Sequence, residues 1–294
     1  MSAIVAPCVV VGEQPAELPN DPDFALQWAL RNTGQIVNGH AGVAGADIDA
    51  LCAWNIYTGL RPVVIAIVDT GVDPHPEFAD RLMEGFVAPS AGGDPYSTLD
   101  TGPHGTHVAG ILAAMVGDAS GVAGLNRYAR IMPVRVLEGS SGSEQSTAEG
   151  IIWATDHGAD VIVVGLQFYD GTLALADAVD YAAASDALVI APAGHDDVGQ
   201  VAFPAAFDAC VAVSSTDSDD HLAWFSNFGP EVDLAAREAI ESTRADLVVN
   251  PGFAGGLSAA ATPGRCFTVT AWIGLERQSV PREVASGLLD ELAA

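Results

Sequence analysis

From Asn20 onward, short apolar runs alternate with segments of helical periodicity. Residues 62–71, PVVIAIVDTG, form a β-branched apolar run closed by glycine, which predicts a strand buried on both faces of a sheet. HGTHVAGILAAM, residues 104–115, has the spacing of an amphipathic helix, and ARIMPVRVL, 129–137, is again strand-like. In STAEGIIWATDHG, 146–158, Ser146 with Glu149 three residues on predicts a capping box, and Gly158 a C-terminal stop. A strand at 159–166, a helix at 173–185 and strands at 187–194 and 209–216 complete the series. This rhythm predicts parallel βαβ units with right-handed crossovers, an α/β fold. In open parallel sheets chemistry gathers at the carboxyl ends of the strands. Asp69 and the turn PAGHDD fall at such ends, and His104 falls at the start of a helix. Residues 1–20 read as an irregular leader and 21–294 as one domain, with no repeat or linker between.

Composition narrows the partners. The chain of 294 residues has 38 acidic and 11 basic side chains, every basic one an arginine, for a formal net charge of −27. Nucleic acid and anionic membranes both demand positive charge, so neither is expected as a partner. The four cysteines, Cys8, Cys52, Cys210 and Cys266, contain no CxxC pair, and reduced, mostly buried thiols are expected. MSAIVAPCVVVGEQPAELPND carries no basic residue ahead of its apolar run, and no run has the length of a membrane span, so a cytoplasmic location is expected.

Three motifs in order, VVIAIVDTGVDPHPEF, GPHGTHVAGILAA and the SAAATP region, resemble the subtilisin-like serine proteases, the subtilases. The likeness extends to the lead-in NDPDFALQWALRNTGQ, to ADIDALCAWNIYTG and to the closing helix PREVASGLLDELA, which begins at Pro281. It implies a three-layer α/β/α sandwich around a mostly parallel central sheet. It also implies that Asp69 is the triad aspartate and His104 the general base, with the carboxylate fixing the imidazole tautomer.

The third motif departs from the family. Where the family reads G-T-S-M-A-x-P-H, the residue four before Pro263 is Ala259, and Ser258 falls on the family's threonine. Pro263 precedes Pro281 by 18 residues, close to the family's separation, which supports that register. Alanine offers no hydroxyl for His104 to activate. The family's AAGN turn, whose asparagine lines the oxyanion hole, reads PAGHDD here and places His195 there. The substrate strand's SLG reads Gly165, Leu166, Gln167, and Gly264 replaces the histidine after the motif's proline.

The resemblance also implies a calcium site of the thermitase type, with Asp21, Glu77, Asp118 and Ser120 as oxygen donors and the carbonyls of Met115 and Val122 completing the cage. The expectation is therefore a pseudoprotease that binds or scaffolds a protein or peptide, a basic one given the charge. The alternatives are a serine endopeptidase represented by an inactive Ser-to-Ala chain, or one acting through Ser258.

Overall fold

The computed structural model describes residues 18–56, 62–99, 101–138 and 141–237. A small antiparallel pair, β1 (Ile36–Val37) and β2 (His40–Ala41), precedes helix α1 (Ala50–Ile56). Strand β3 (Val64–Asp69) and the short β4 (Phe86–Val87) lead to α2 (His104–Ala113) and β5 (Arg130–Arg135). A second short pair, β6 (Leu137–Glu138) and β7 (Ser141–Gly142), introduces α3 (Glu144–Asp156). Then follow β8 (Val161–Val164), α4 (Leu173–Ala184), β9 (Leu188–Pro192), β10 (Cys210–Thr216) and β11 (Leu234–Arg237).

Seven strands form one sheet in the order β11-β10-β9-β8-β3-β5-β4. Every pairing in it is parallel, as the apolar runs predict. The two-residue period of β3 explains why it reads as continuously apolar: Ile65 and Ile67 pack with Val108, Ala109 and Leu112 of α2. Ala66 and Val68 pack on the opposite face with Ala148 and Ile151 of α3 and Leu175 and Val179 of α4. Helices thus cover both faces of the sheet, giving the three-layer sandwich.

Two local expectations change. The N-cap of α3 is Ser143, three residues before the predicted Ser146, and the capping box joins Ser143 to Ser146. The serine at 146 is buried inside the helix, its hydroxyl donating to the carbonyl of Val136 at 2.9 Å. The earlier serine wins because it alone sits in extended backbone, at φ −111° and ψ 155°, as an N-cap must. Cys52 is disulfide-bonded, contrary to the expectation of reduced thiols. Cys210 is a free, buried thiol whose pKa is pushed up by burial and by the Asp233 carboxylate. The expected closing helix at Pro281 lies outside the described residues, and among those described no helix is long and apolar enough to cross a membrane.

Candidate active site

Three neighbouring strands deliver the candidate residues at their carboxyl ends. Asp69 is the last residue of β3, Gly165 follows β8, and His195 lies just past β9, while His104 opens α2. These strands are adjacent in the sheet, so groups far apart in sequence arrive at one edge.

His104 donates from Nδ1 to Asp69 Oδ2 at 2.6 Å. The Asp69 side chain is 2% exposed and that of His104 is 32% exposed, so the carboxylate is interior while the ring reaches outward. Asp69 is held by the backbone N–H of Thr70, which donates to Oδ1 at 2.6 Å. Thr70 also ties the strand to the helix, because its hydroxyl oxygen accepts from the N–H of Gly105 at 2.9 Å. The Thr101 hydroxyl donates to the Thr70 carbonyl at 3.0 Å. Burial by itself would lower the pKa of His104, but the charge of Asp69 and the bond to it outweigh burial, and the net shift is upward. This arrangement leaves His104 Nε2 as the proton-accepting atom of the neutral ring.

Gly165 makes a close approach to the pair. A Cβ at this position would overlap Asp69 Oδ2 and stand 3.2 Å from His104 Cε1. Its N–H donates to the Val68 carbonyl at 3.0 Å, so the strand lies directly against the Asp–His pair. Leu166, next in the strand, is half-buried against the main core. Gln167 turns outward and bonds to the second histidine: its Oε1 is 2.9 Å from His195 Nδ1. The His195 ring stacks on Phe225 with centroids 5.6 Å apart. Partial burial, and then the proximity of His104, lower the pKa of His195, although the residue stays exposed to solvent. The other histidine of α2, His107, is buried, and burial followed by the charge of His104 depresses its pKa to about 4.

Sequence reasoning missed the residues that brace this site. Asn227 is fully buried, and its Oδ1 accepts from the backbone N–H of Asp196 at 2.9 Å and of Val198 at 3.3 Å, which shapes the turn carrying His195. Gly194, at φ +123°, brings the chain so close to Asn227 that any Cβ would collide with it. Nothing in periodicity or spacing marks Asn227, because its partners are backbone groups some thirty positions away. Thr70, and Tyr169, whose hydroxyl donates to the Asp196 carboxylate, were likewise not foreseen. Ala259, Ser258 and Gly264 lie outside the described residues.

The calcium expectation meets mixed ground. Asp21 and Glu77 are both buried, and Asp21 Oδ1 and Glu77 Oε2 have no hydrogen-bond partner. Ser120 donates its hydroxyl proton to Glu77 Oε1 at 2.7 Å, and the N–H of Gly117 donates to Asp21 Oδ2 at 2.8 Å. Burial, with the charges of Asp118 and Asp21 added, raises the pKa of Glu77 in spite of the Ser120 bond and the nearby His75. The Asp118 carboxylate instead accepts from the Ser120 N–H at 3.0 Å. Among the described residues no three His, Cys, Asp or Glu side chains are grouped to hold a metal. Two unpartnered buried carboxylate oxygens fit a hard cation, provided the hydroxyl and backbone oxygens supply the remaining ligands.

A family model described as the subtilase family matches residues 61–252, the part of the chain that carries both Asp69 and His104. The chain belongs to the subtilase family. Thermitase of Thermoactinomyces vulgaris is 41% identical over 194 residues, covering 64% of this chain and 67% of that protein. The halolysin-like extracellular serine protease Nep of Natrialba magadii is 34% identical over 226 residues, covering 75% of this chain and 39% of that protein. Among solved structures, a protease from Pseudoalteromonas arctica superposes with a TM-score of 0.66 at 25% identity, covering 88% of this subtilase and 85% of that chain. This subtilase spans less than half the length of several of its curated relatives.

Proposed function

We propose that this subtilase binds an extended peptide or protein segment in the cleft beside Asp69 and His104 without hydrolysing it. The observation that carries this reading is the pairing of Gln167 with His195 at 2.9 Å. At the turn where subtilases place a short amide donor, the ring is already bonded through Nδ1 to a neighbouring side chain. Ala259 at the nucleophile's register adds the lack of a hydroxyl. Backbone hydrogen bonding to an edge such as Gly165–Gln167 does not depend on either group, so peptide binding survives their loss. A net charge of −27 favours a basic partner, with an association rate that falls as salt rises.

The second reading is a subtilisin-like endopeptidase in which position 259 alone has been changed, or in which Ser258 attacks. The intact Asp69–His104 bond favours it, since an oriented base is what a restored serine needs. Treatment with a fluorophosphonate probe, alongside peptide-ester hydrolysis, separates the two. The parent chain is expected to be unlabelled. Ala259→Ser is expected to gain little turnover, and Ala259→Ser with His195→Asn to gain about 10²- to 10³-fold over the single variant, the usual effect of a side-chain oxyanion donor. Labelling at Ser258, or robust turnover from Ala259→Ser alone, refutes the non-hydrolytic reading.

Calcium belongs to the same proposal. Asp21 and Glu77 would hold it with oxygens from Ser120, Asp118, Met115 and Val122, and the ion would supply positive charge to two buried carboxylates. The disulfide at Cys52 and a relative described as extracellular support an oxidising compartment over the cytoplasm.

A further inference from the structure

The polar groups around His195 form a chain of hydrogen bonds with a defined direction. It begins at Asp196, whose carboxylate only accepts. Its Oδ2 accepts from the Tyr169 hydroxyl and, at 2.7 Å, from Gln167 Nε2. The same Nε2 lies 3.2 Å from the Tyr169 oxygen. These partners decide which end of the Gln167 amide is nitrogen. Oε1 is then the atom facing His195 Nδ1 at 2.9 Å. A carbonyl oxygen has no proton to give, so the proton must be on Nδ1.

A neutral imidazole carries one N–H and one lone pair. With the proton on Nδ1, Nε2 is an acceptor, and among the described residues no hydrogen bond reaches it. Phe225 supports one face of the ring, and Asn227 holds the turn below it, so the ring is not free to flip its edges without losing the Gln167 bond.

We propose that Gln167 locks neutral His195 in the Nδ1–H tautomer, and that the lone pair on Nε2 makes this position a receptor for an ammonium group of a bound ligand rather than for a carbonyl oxygen. A carbonyl oxygen here meets lone pair against lone pair. An ammonium donates to Nε2, and it enters a chain whose net charge of −27 attracts cations. Near neutral pH an imidazole is largely in its neutral form, so the lone pair is available, and the downward direction of the His195 shift favours that form. The tautomer stands by itself; the ligand class rests on the cleft being a binding site.

Two-bond nitrogen–proton spectra of labelled protein near neutral pH read the tautomer directly, with His195 assigned from the His195→Gln variant. The parent is expected to show the proton on Nδ1. Gln167→Glu, which still accepts from Nδ1–H, is expected to keep it, and Gln167→Leu to release the ring to the Nε2–H form that free imidazole prefers. An Nε2–H ring in the parent overturns the proposal. Titration with n-butylammonium is expected to move the Nε2 signal, tetramethylammonium, which has the charge but no N–H to donate, to leave it in place, and Gln167→Leu to weaken the n-butylammonium about tenfold, the scale of one charge-assisted hydrogen bond. An Nε2 signal indifferent to the ammonium, or equal affinity in Gln167→Leu, refutes the receptor. Fluorophosphonate labelling, which would refute the non-hydrolytic reading, leaves the tautomer result standing, so the two failures are distinguishable.

Discussion

Gly165→Ala tests the packing that joins the segment after β8 to the Asp69–His104 pair. The added methyl would overlap Asp69 Oδ2 and stand 2.9 Å from its Cγ, closer than real Cβ atoms approach. Restoring ordinary contact requires the carboxylate oxygen to retreat by about 1.5 Å. From a starting separation of 2.6 Å, such a retreat carries Oδ2 beyond hydrogen-bond range of His104 Nδ1. Loss of a hydrogen bond to a charged group costs about 1.5–3 kcal/mol. Asp69 is interior, so water does not compensate it. For a domain of this size the unfolding temperature should fall by about 5 °C.

The same change has a defined pH signature. His104 has a raised folded-state pKa, so its contribution is complete below the ordinary value of 6.5 and fades as pH climbs through the folded value. The gap between parent and Gly165→Ala should therefore be widest below pH 6.5 and narrow as the solution becomes alkaline. Proton NMR of the His104 ring should show its pKa shifted downward in the variant, because burial remains while the pull of Asp69 weakens. An unchanged His104 titration, together with an unchanged unfolding temperature, would refute the claim that Gly165 is held to glycine by the Asp–His pair.

Further outcomes follow from the buried ionisable groups. Calcium should raise the unfolding temperature of the parent by mass action, and Glu77→Gln should abolish that rise. Because the folded-state pKa of Glu77 is raised, the calcium-free protein should gain stability as pH falls through it, and Glu77→Gln should remove that gain; thermal scans with and without chelator report both. His107, depressed from 6.5 to about 4, takes up its proton more readily when unfolded, so stability should be lost as pH falls across that window. The loss attributable to this group is on the order of 3 kcal/mol, and pH-dependent denaturant titrations of parent and His107→Gln should differ by an amount of that order.

Much of the architecture is written in local pattern. The two-residue alternation of β3 sends Ile65 and Ile67 to one helix layer and Ala66 and Val68 to the other, and a run apolar at every position is how that double burial reads in a sequence. Ser143 escaped notice because Ser146 and Glu149 offer the same chemistry one turn later, and only backbone conformation separates the two caps. Asp69 and His104 were legible because each sits in its own short motif and needs no distant partner to be recognised.

What surrounds that pair depended on tertiary structure. Strand order places Gly165, after β8, against Asp69, after β3, and nothing in either segment encodes that contact. The sequence puts a histidine at position 195, but whether its ring donates or accepts is decided by Gln167, 28 residues earlier, and by Asp196 and Tyr169 behind it. Periodicity carries information about faces and burial, since those are averaged over many residues. A proton's position on one ring nitrogen is set by a single contact of 2.9 Å, which only the folded chain creates.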